Sequence, residues 1–211
     1  MNFHPEILQG SQSEILRELA PVIGRKGFYL GGGTAIALLL GHRLSQDFDW
    51  FTGNRLADPM LLAEGVREEG ISFITGQIER GTLHGTVTGI RVTFLEYRYP
   101  LLQPALIWPE YQCPIASPAD LACMKLSAVA QRGSRKDFLD IYALGRQCFS
   151  LAEMLELYRE KYQVRDIGHV LYGLAYFDDA DREPMPRCLW DLDWRDVKKS
   201  IRKWLKEMAR T

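Results

Sequence analysis

Two aspartates separated by one residue open the run Asp47-Phe48-Asp49-Trp50-Phe51, in which acidic and aromatic residues alternate. That period is the period of a β-strand, so both carboxylates share one face. Like charges so placed repel unless a cation or a basic side chain lies between them. Hard carboxylate oxygens suit magnesium, which is usually held by one or two carboxylates together with substrate phosphates. That is the arrangement of phosphoryl and nucleotidyl transfer. Upstream, Gly31-Gly32-Gly33-Thr34 separates the apolar run Phe28-Tyr29-Leu30 from an aliphatic segment through Leu40. A strand, a glycine turn and a helix in that order expose backbone N–H groups at the positive end of the helix dipole, where a phosphate is favoured. Each feature alone also has an ordinary reading, as a tight turn and as acids at a strand end.

The elements that must position these groups can be read around them. Ser11 or Ser13 caps a first helix with Ile15, Leu16, Leu19 and Ala20 on one face, and Gly24 with Gly27 marks its end. Thr34 caps the helix after the glycine turn, and Gly41 closes it. Asp58-Pro59 begins a third helix through about Glu69, and extended stretches follow at 71–75, 82–88 and 90–97, with Thr88-Gly89 as a hairpin turn. A proline-containing connector from Pro100 to Pro118 leads into helices at 118–131, 135–146, 151–162, 166–176 and 194–209. Ser117 with Asp120 and Ser150 with Glu153 provide caps. The expected class is α+β, with residues 1–116 forming an α/β half around a small mixed sheet and residues 117–211 a helical half.

Composition narrows the field of functions. The chain has 211 residues, 46% hydrophobic and 25% charged, which suits a globular protein with a sizeable core. Lys and Arg total 26 against 27 Asp and Glu, so any affinity for a polyanion must come from a local patch. The four cysteines form no CxxC pair, and neither a zinc site nor a disulfide framework is signalled. The start MNFHPEILQG lacks a secretory pattern, and the aliphatic run at 35–40 is far shorter than the roughly 20 residues a membrane span needs. A cytoplasmic address with no membrane partner is expected.

The run Gly31-Gly32-Gly33-Thr34-Ala35, then Gly41-His42-Arg43-Leu44-Ser45-Gln46 leading into the paired aspartates, resembles the nucleotidyltransferase signature of the AbiEii-type abortive-infection toxins, a branch of the DNA polymerase β-like superfamily. A second matching stretch is Asp120-Leu121-Ala122-Cys123-Met124-Lys125-Leu126, followed by Arg132 and Arg135-Lys136-Asp137-Phe138-Leu139-Asp140-Ile141-Tyr142. The resemblance implies a polymerase β-like fold for the N-terminal half and transfer of a nucleotide from a nucleoside triphosphate to an acceptor. RNA, at a tRNA end, is the acceptor it suggests, and a separately encoded antitoxin is the partner. It implies that Asp47 and Asp49 bind magnesium, that the Gly32, Gly33 and Thr34 turn holds the triphosphate, and that Arg43 and Ser45 shape the loop before the carboxylates. Lys125 would contact the nucleotide phosphates, and Asp137 would supply the last acidic motif. An antibiotic-type transferase with a small-molecule acceptor, or a non-catalytic member that binds a nucleotide or a partner, are the rival readings.

One departure stands out. Transferases of this superfamily usually draw a third carboxylate from a following strand, where this chain has Thr93. Glu96 is three residues later and projects to the opposite face of an unbroken strand. Without a third acid, Asp137 or the substrate itself must activate the attacking hydroxyl. Several charged residues also carry plainer readings: His42 as a phosphate contact or a surface pair, Lys125 as a surface lysine, Asp137 and Asp140 as acids complementing a helix dipole, and Asp178, Asp179 and Asp181 as a solvated loop. From Arg195 to Arg210 seven basic residues face two acidic ones on an amphipathic helix, which either docks with its charges in water or offers a patch to RNA or an acidic partner.

Overall fold

Helix α1 (Gln12–Arg25) forms where Ile15, Leu16, Leu19, Ala20 and Ile23 recur at helical spacing, and all five are buried. The computed structural model describes residues 2–208. After α1 comes strand β1 (Tyr29–Gly31), which runs directly into helix α2 (Gly32–Leu40). The expected Thr34 cap is corrected here. The helix starts three residues earlier, with Gly31 at the N-cap and Gly32 at φ +64, a left-handed conformation that glycine adopts without strain. Thr34 therefore lies in the first turn and spends its hydroxyl elsewhere. Gly41, at φ +63, ends the helix and donates its N–H to the Ala37 carbonyl.

Strand β2 (Phe48–Thr52) alternates buried Phe48, Trp50 and Thr52 with half-buried Asp49 and Phe51. Helix α3 (Pro59–Glu68) is capped by the Asp58 carboxylate, which accepts from the N–H groups of Met60 and Leu61. Strands β3 (Phe73–Glu79), β4 (Thr82–Val87) and β5 (Ile90–Glu96) form a meander, with Thr88 and Gly89 both at positive φ in the tight turn joining β4 and β5. The connector holds two strands that patterning did not reveal, β6 (Leu106–Trp108) and β7 (Cys113–Ile115). Each is three residues long, too short for a period to show, and β7 contains Pro114.

The seven strands form one mixed sheet in the order β3-β4-β5-β2-β1-β7-β6. Strand β1 is antiparallel to β2 and parallel to β7, and β2 is parallel to β5. The remaining chain is helical: α4 (Pro118–Gln131), α5 (Arg135–Gln147), α6 (Leu151–Tyr162), α7 (Gly168–Ala175) and α8 (Trp194–Met208). Residue 209 of the expected last helix, and Arg210 of its basic run, lie outside the described residues. The α+β class follows: the last strand of the sheet ends at Ile115, and five α-helices follow from Pro118 among the described residues.

Helix α2 packs on β1 and β2 on one side and on α4 and α5 on the other, so a single hydrophobic cluster runs from Ile7 through Trp50 and Phe94 to Phe138 and Ile201. A buried ion pair reinforces the junction. Lys161 of α6 donates to Asp120 at 2.6 Å and to the Pro100 carbonyl at 2.8 Å, while Asp120 also accepts the Leu102 and Gln103 N–H groups. Among the described residues no helix is long and apolar enough to cross a membrane.

Candidate functional site

The antiparallel register of β1 and β2 places Gly31 opposite Asp49. A Cβ at Gly32 would meet Asp49 Oδ2 at 2.7 Å, so only glycine lets the turn lie against the carboxylate. The glycine turn and the carboxylate pair are therefore in contact. Asp47 lies just before β2 on the same face as Asp49, and Thr34 donates its hydroxyl to the Asp47 carbonyl and is hydrogen-bonded at 2.8 Å to the Ser45 hydroxyl. The threonine expected to face a phosphate instead ties α2 to the loop that delivers the acids.

The two carboxylates are not equivalent. Asp47 is held by Arg91, whose Nε and Nη2 reach Oδ1 and Oδ2 at 3.1 and 2.9 Å. The Asp49 carboxylate accepts no hydrogen bond from the described residues. Burial pushes its pKa up against the pull of Lys125, and the nearby Asp47 adds to the rise. Lys136 and Arg132 are exposed cations whose charges also reach Asp49.

Strand β5 lies parallel to β2 with Thr93 beside Asp49. The third-carboxylate position is thus a threonine, hydrogen-bonded at 3.3 Å to His84 Nδ1. Glu96 ends the same unbroken strand and does not substitute, since its carboxylate accepts the Leu56 N–H at 2.9 Å and pairs with Arg98. Among the described residues no three His, Cys, Asp or Glu side chains are gathered to hold a metal. What exists is a pair of hard carboxylates, one desolvated and without a protein donor. That set fits magnesium, whose shell would be completed by water or substrate oxygens.

Behind this pair lies a buried ionic cluster. Lys125, expected to meet phosphate, is enclosed between Asp137 and Asp140 at 2.8 Å each. Asp137 also accepts from Arg132 at 2.8 and 3.0 Å and from the Ser134 hydroxyl at 2.6 Å. Burial alone would raise its pKa, but Lys125 and Arg132 hold it far below the usual carboxylate range. With Lys125, Arg132 and the Ser134 hydroxyl all donating to it, the Asp137 carboxylate is fully engaged within the protein.

Asp140 accepts from His42 Nε2 at 2.8 Å and from Arg43 Nε and Nη2 at 2.7 and 2.8 Å. Arg43 also donates to the Leu44 carbonyl at 2.9 Å, in the loop before the carboxylates. His42 is fully buried, neither a surface residue nor a phosphate contact, and burial lowers its pKa against the pull of Asp140. The roles of His42 and Asp140 were not read from sequence, because the partners are 98 positions apart. The one local signal was two acids spaced to lie on the side of α5 that also carries apolar residues.

Elsewhere, α8 buries Val197 and Ile201 and stacks Trp204 on Tyr142, leaving Lys199, Arg202 and Lys206 exposed. Asp181, expected in a solvated loop, accepts from Lys198 and from the Trp194 indole.

Known proteins resemble this chain in sequence family and in fold. The family model for the nucleotidyl transferase AbiEii toxin of type IV toxin–antitoxin systems matches residues 14–100 and 88–206. An uncharacterized protein of Aquifex aeolicus (strain VF5) is 34% identical over 205 residues, covering 95% of this chain and 97% of its own. Among solved structures, JHP933 from Helicobacter pylori gives a TM-score of 0.60 at 14% identity, covering 99% of this chain and 94% of the other. The nucleotidyltransferase toxin MenT4 from Mycobacterium tuberculosis H37Rv gives 0.51 at 15% identity, covering 90% and 81%. At these identities the two structures share the fold.

Proposed function

Because the chain belongs to the AbiEii nucleotidyltransferase toxin family, we propose that it transfers a nucleotide from a nucleoside triphosphate to RNA, at a tRNA end, with magnesium as cofactor. The observation that carries the proposal is the contact between the glycine turn and Asp49. It brings the first N–H groups of a helix, which favour phosphate, against a carboxylate pair that favours a divalent cation.

In this reading Asp47 and Asp49 hold the ion. When bound, magnesium neutralises phosphate charge and orients the triphosphate for in-line displacement. The chain's own groups do the rest. The turn at Gly32 and Gly33 admits the triphosphate to close backbone contact. Thr34 with Ser45, and Arg43 with Asp140, keep the preceding loop in place, while Lys125 and Asp137 belong to the same scaffold and position the site from behind.

Lys136, exposed and with its charge reaching Asp49, and the exposed Arg132, already paired with Asp137, favour a polyanionic acceptor over a cationic small molecule. Membership of a type IV toxin–antitoxin family implies an antitoxin partner, and we place both proteins in the cytoplasm. Residues 1–116 supply the transferase sheet, and residues 117–211 supply the helices that brace it.

The test is incubation with each labelled nucleoside triphosphate, magnesium and total RNA. Label should pass to RNA with the wild-type chain and not with Asp49→Ala. RNA left unlabelled by all four nucleotides would refute the proposal.

A further inference from the structure

Asp47 already has a cation. Strand β2 is parallel to β5 with Phe48 beside Val92, which sets Asp47 and Arg91 side by side one step earlier. Both carboxylate oxygens are taken by the guanidinium fork. Asp49, two residues on, has no such partner. A divalent ion shared by the two acids would meet the Arg91 cation at Asp47, and repulsion between the two positive charges favours release of the guanidinium.

The pair is built to allow that. Arg91 is 74% exposed and Asp47 32% exposed, and ion pairs in contact with water are weakly held. Of the other cations whose charge reaches Asp49, Lys125 is enclosed between two aspartates and Arg132 is paired with Asp137, so neither comes forward without leaving an acid uncompensated, and Lys136 makes no ion pair with Asp47 or Asp49. Once displaced, the Arg91 guanidinium remains tethered to β5 beside the ion. The anions that arrive there with the metal are phosphate oxygens, which a guanidinium binds in the same forked geometry.

We propose that Arg91 is a substrate-contacting residue that occupies Asp47 until a divalent cation displaces it, and then binds the phosphates of the incoming nucleoside triphosphate. The second half of this inference rests on the transferase reading; the first half concerns the metal alone.

Both halves can be read without turnover. Mn²⁺ is titrated into the ligand-free full chain and followed by electron paramagnetic resonance. A non-hydrolysable α,β-methylene triphosphate is then titrated by calorimetry at saturating Mn²⁺. Arg91→Gln should bind Mn²⁺ about two- to fivefold more tightly, because the competing guanidinium is gone. The same variant should bind the analogue about tenfold more weakly, with Arg91→Lys between the two. Opposite signs in one variant are not expected from general destabilisation. Unchanged or weaker Mn²⁺ binding in Arg91→Gln would overturn the proposal, as would unchanged affinity for the analogue. Wild-type protein that takes up Mn²⁺ but no triphosphate would overturn the transferase reading and the second half with it.

Discussion

Asp140→Asn preserves the shape of a fully buried side chain and removes its charge. The wild-type carboxylate accepts from His42, twice from Arg43, and from Lys125, all at 2.7–2.8 Å. In the variant Arg43 and Lys125 stay buried, and the one remaining acid, Asp137, already takes Arg132 and Ser134. Removing one partner of a buried pair costs about 3–5 kcal/mol. For a chain of this size each kcal/mol moves the melting temperature by roughly 2–4 °C, so the variant should melt about 6–20 °C lower at neutral pH.

The pH dependence has a definite sign. Asp140 is held well below the usual carboxylate range, because Arg43 and Lys125 outweigh its burial. Its contribution is complete above the unfolded pKa of about 3.9 and is lost as pH falls toward the folded value. The difference between variant and wild type should therefore narrow in acid. Adding Arg43→Met to Asp140→Asn removes one stranded cation and should recover at least about 1 kcal/mol in urea denaturation, a coupling expected of groups in one network. A single variant within about 1 kcal/mol of wild type, or strictly additive effects in the pair, would refute the assignment of Asp140 as the charge centre of this cluster.

Asp47→Ala and Asp49→Ala should each abolish nucleotide transfer, while Asp49→Asn, relieved of a carboxylate that burial disfavours, should melt no lower than wild type; activity in either alanine variant would disprove the metal role. Lys125→Ala should lose about 3–5 kcal/mol in urea denaturation, and calorimetric triphosphate affinity lost without loss of stability would contradict its buried placement. The depressed pKa of His42 means that unfolded chains bind the proton more readily, so stability should fall as pH drops below about 6.5. That slope should disappear in His42→Gln. Replacing Lys199, Arg202 and Lys206 together with glutamine should lower the slope of log RNA affinity against log salt by roughly 2, at roughly 0.7 per single-strand contact; an unaltered slope in filter binding would make α8 a scaffold only.

What the sequence disclosed was local. The shared face of Asp47 and Asp49 needed only a period of two, and the helices of the second half announced themselves by caps at Ser117 and Ser150 and by apolar spacing. The start of α2 was misplaced because a threonine is the better cap by propensity, whereas Gly32 at positive φ let the helix begin earlier. The placement of Lys125 was hidden for another reason: nothing within one turn of it shows that two aspartates on the next helix will enclose it. Arg91 was likewise unreadable, since its pairing with Asp47 depends on a strand register set by residues more than forty positions apart.

Strand β1 carries the glycine turn from a central place in the sheet, flanked on one side by β2 and on the other by β7. Its two neighbours arrive at very different times as the chain is made. The pairing of Tyr29 with Phe51 closes a short loop, whereas Leu30 waits for Ile115. Long-range parallel pairing is slow, because the closure entropy must be overcome before the contact contributes. Until β7 docks, β1 has an open row of N–H and C=O groups, the kind of edge that recruits strands from other chains. The connector between Pro100 and Pro118 is therefore a late step of assembly, and a chain ending before Cys113 would leave the strand behind the glycine turn without one of its walls.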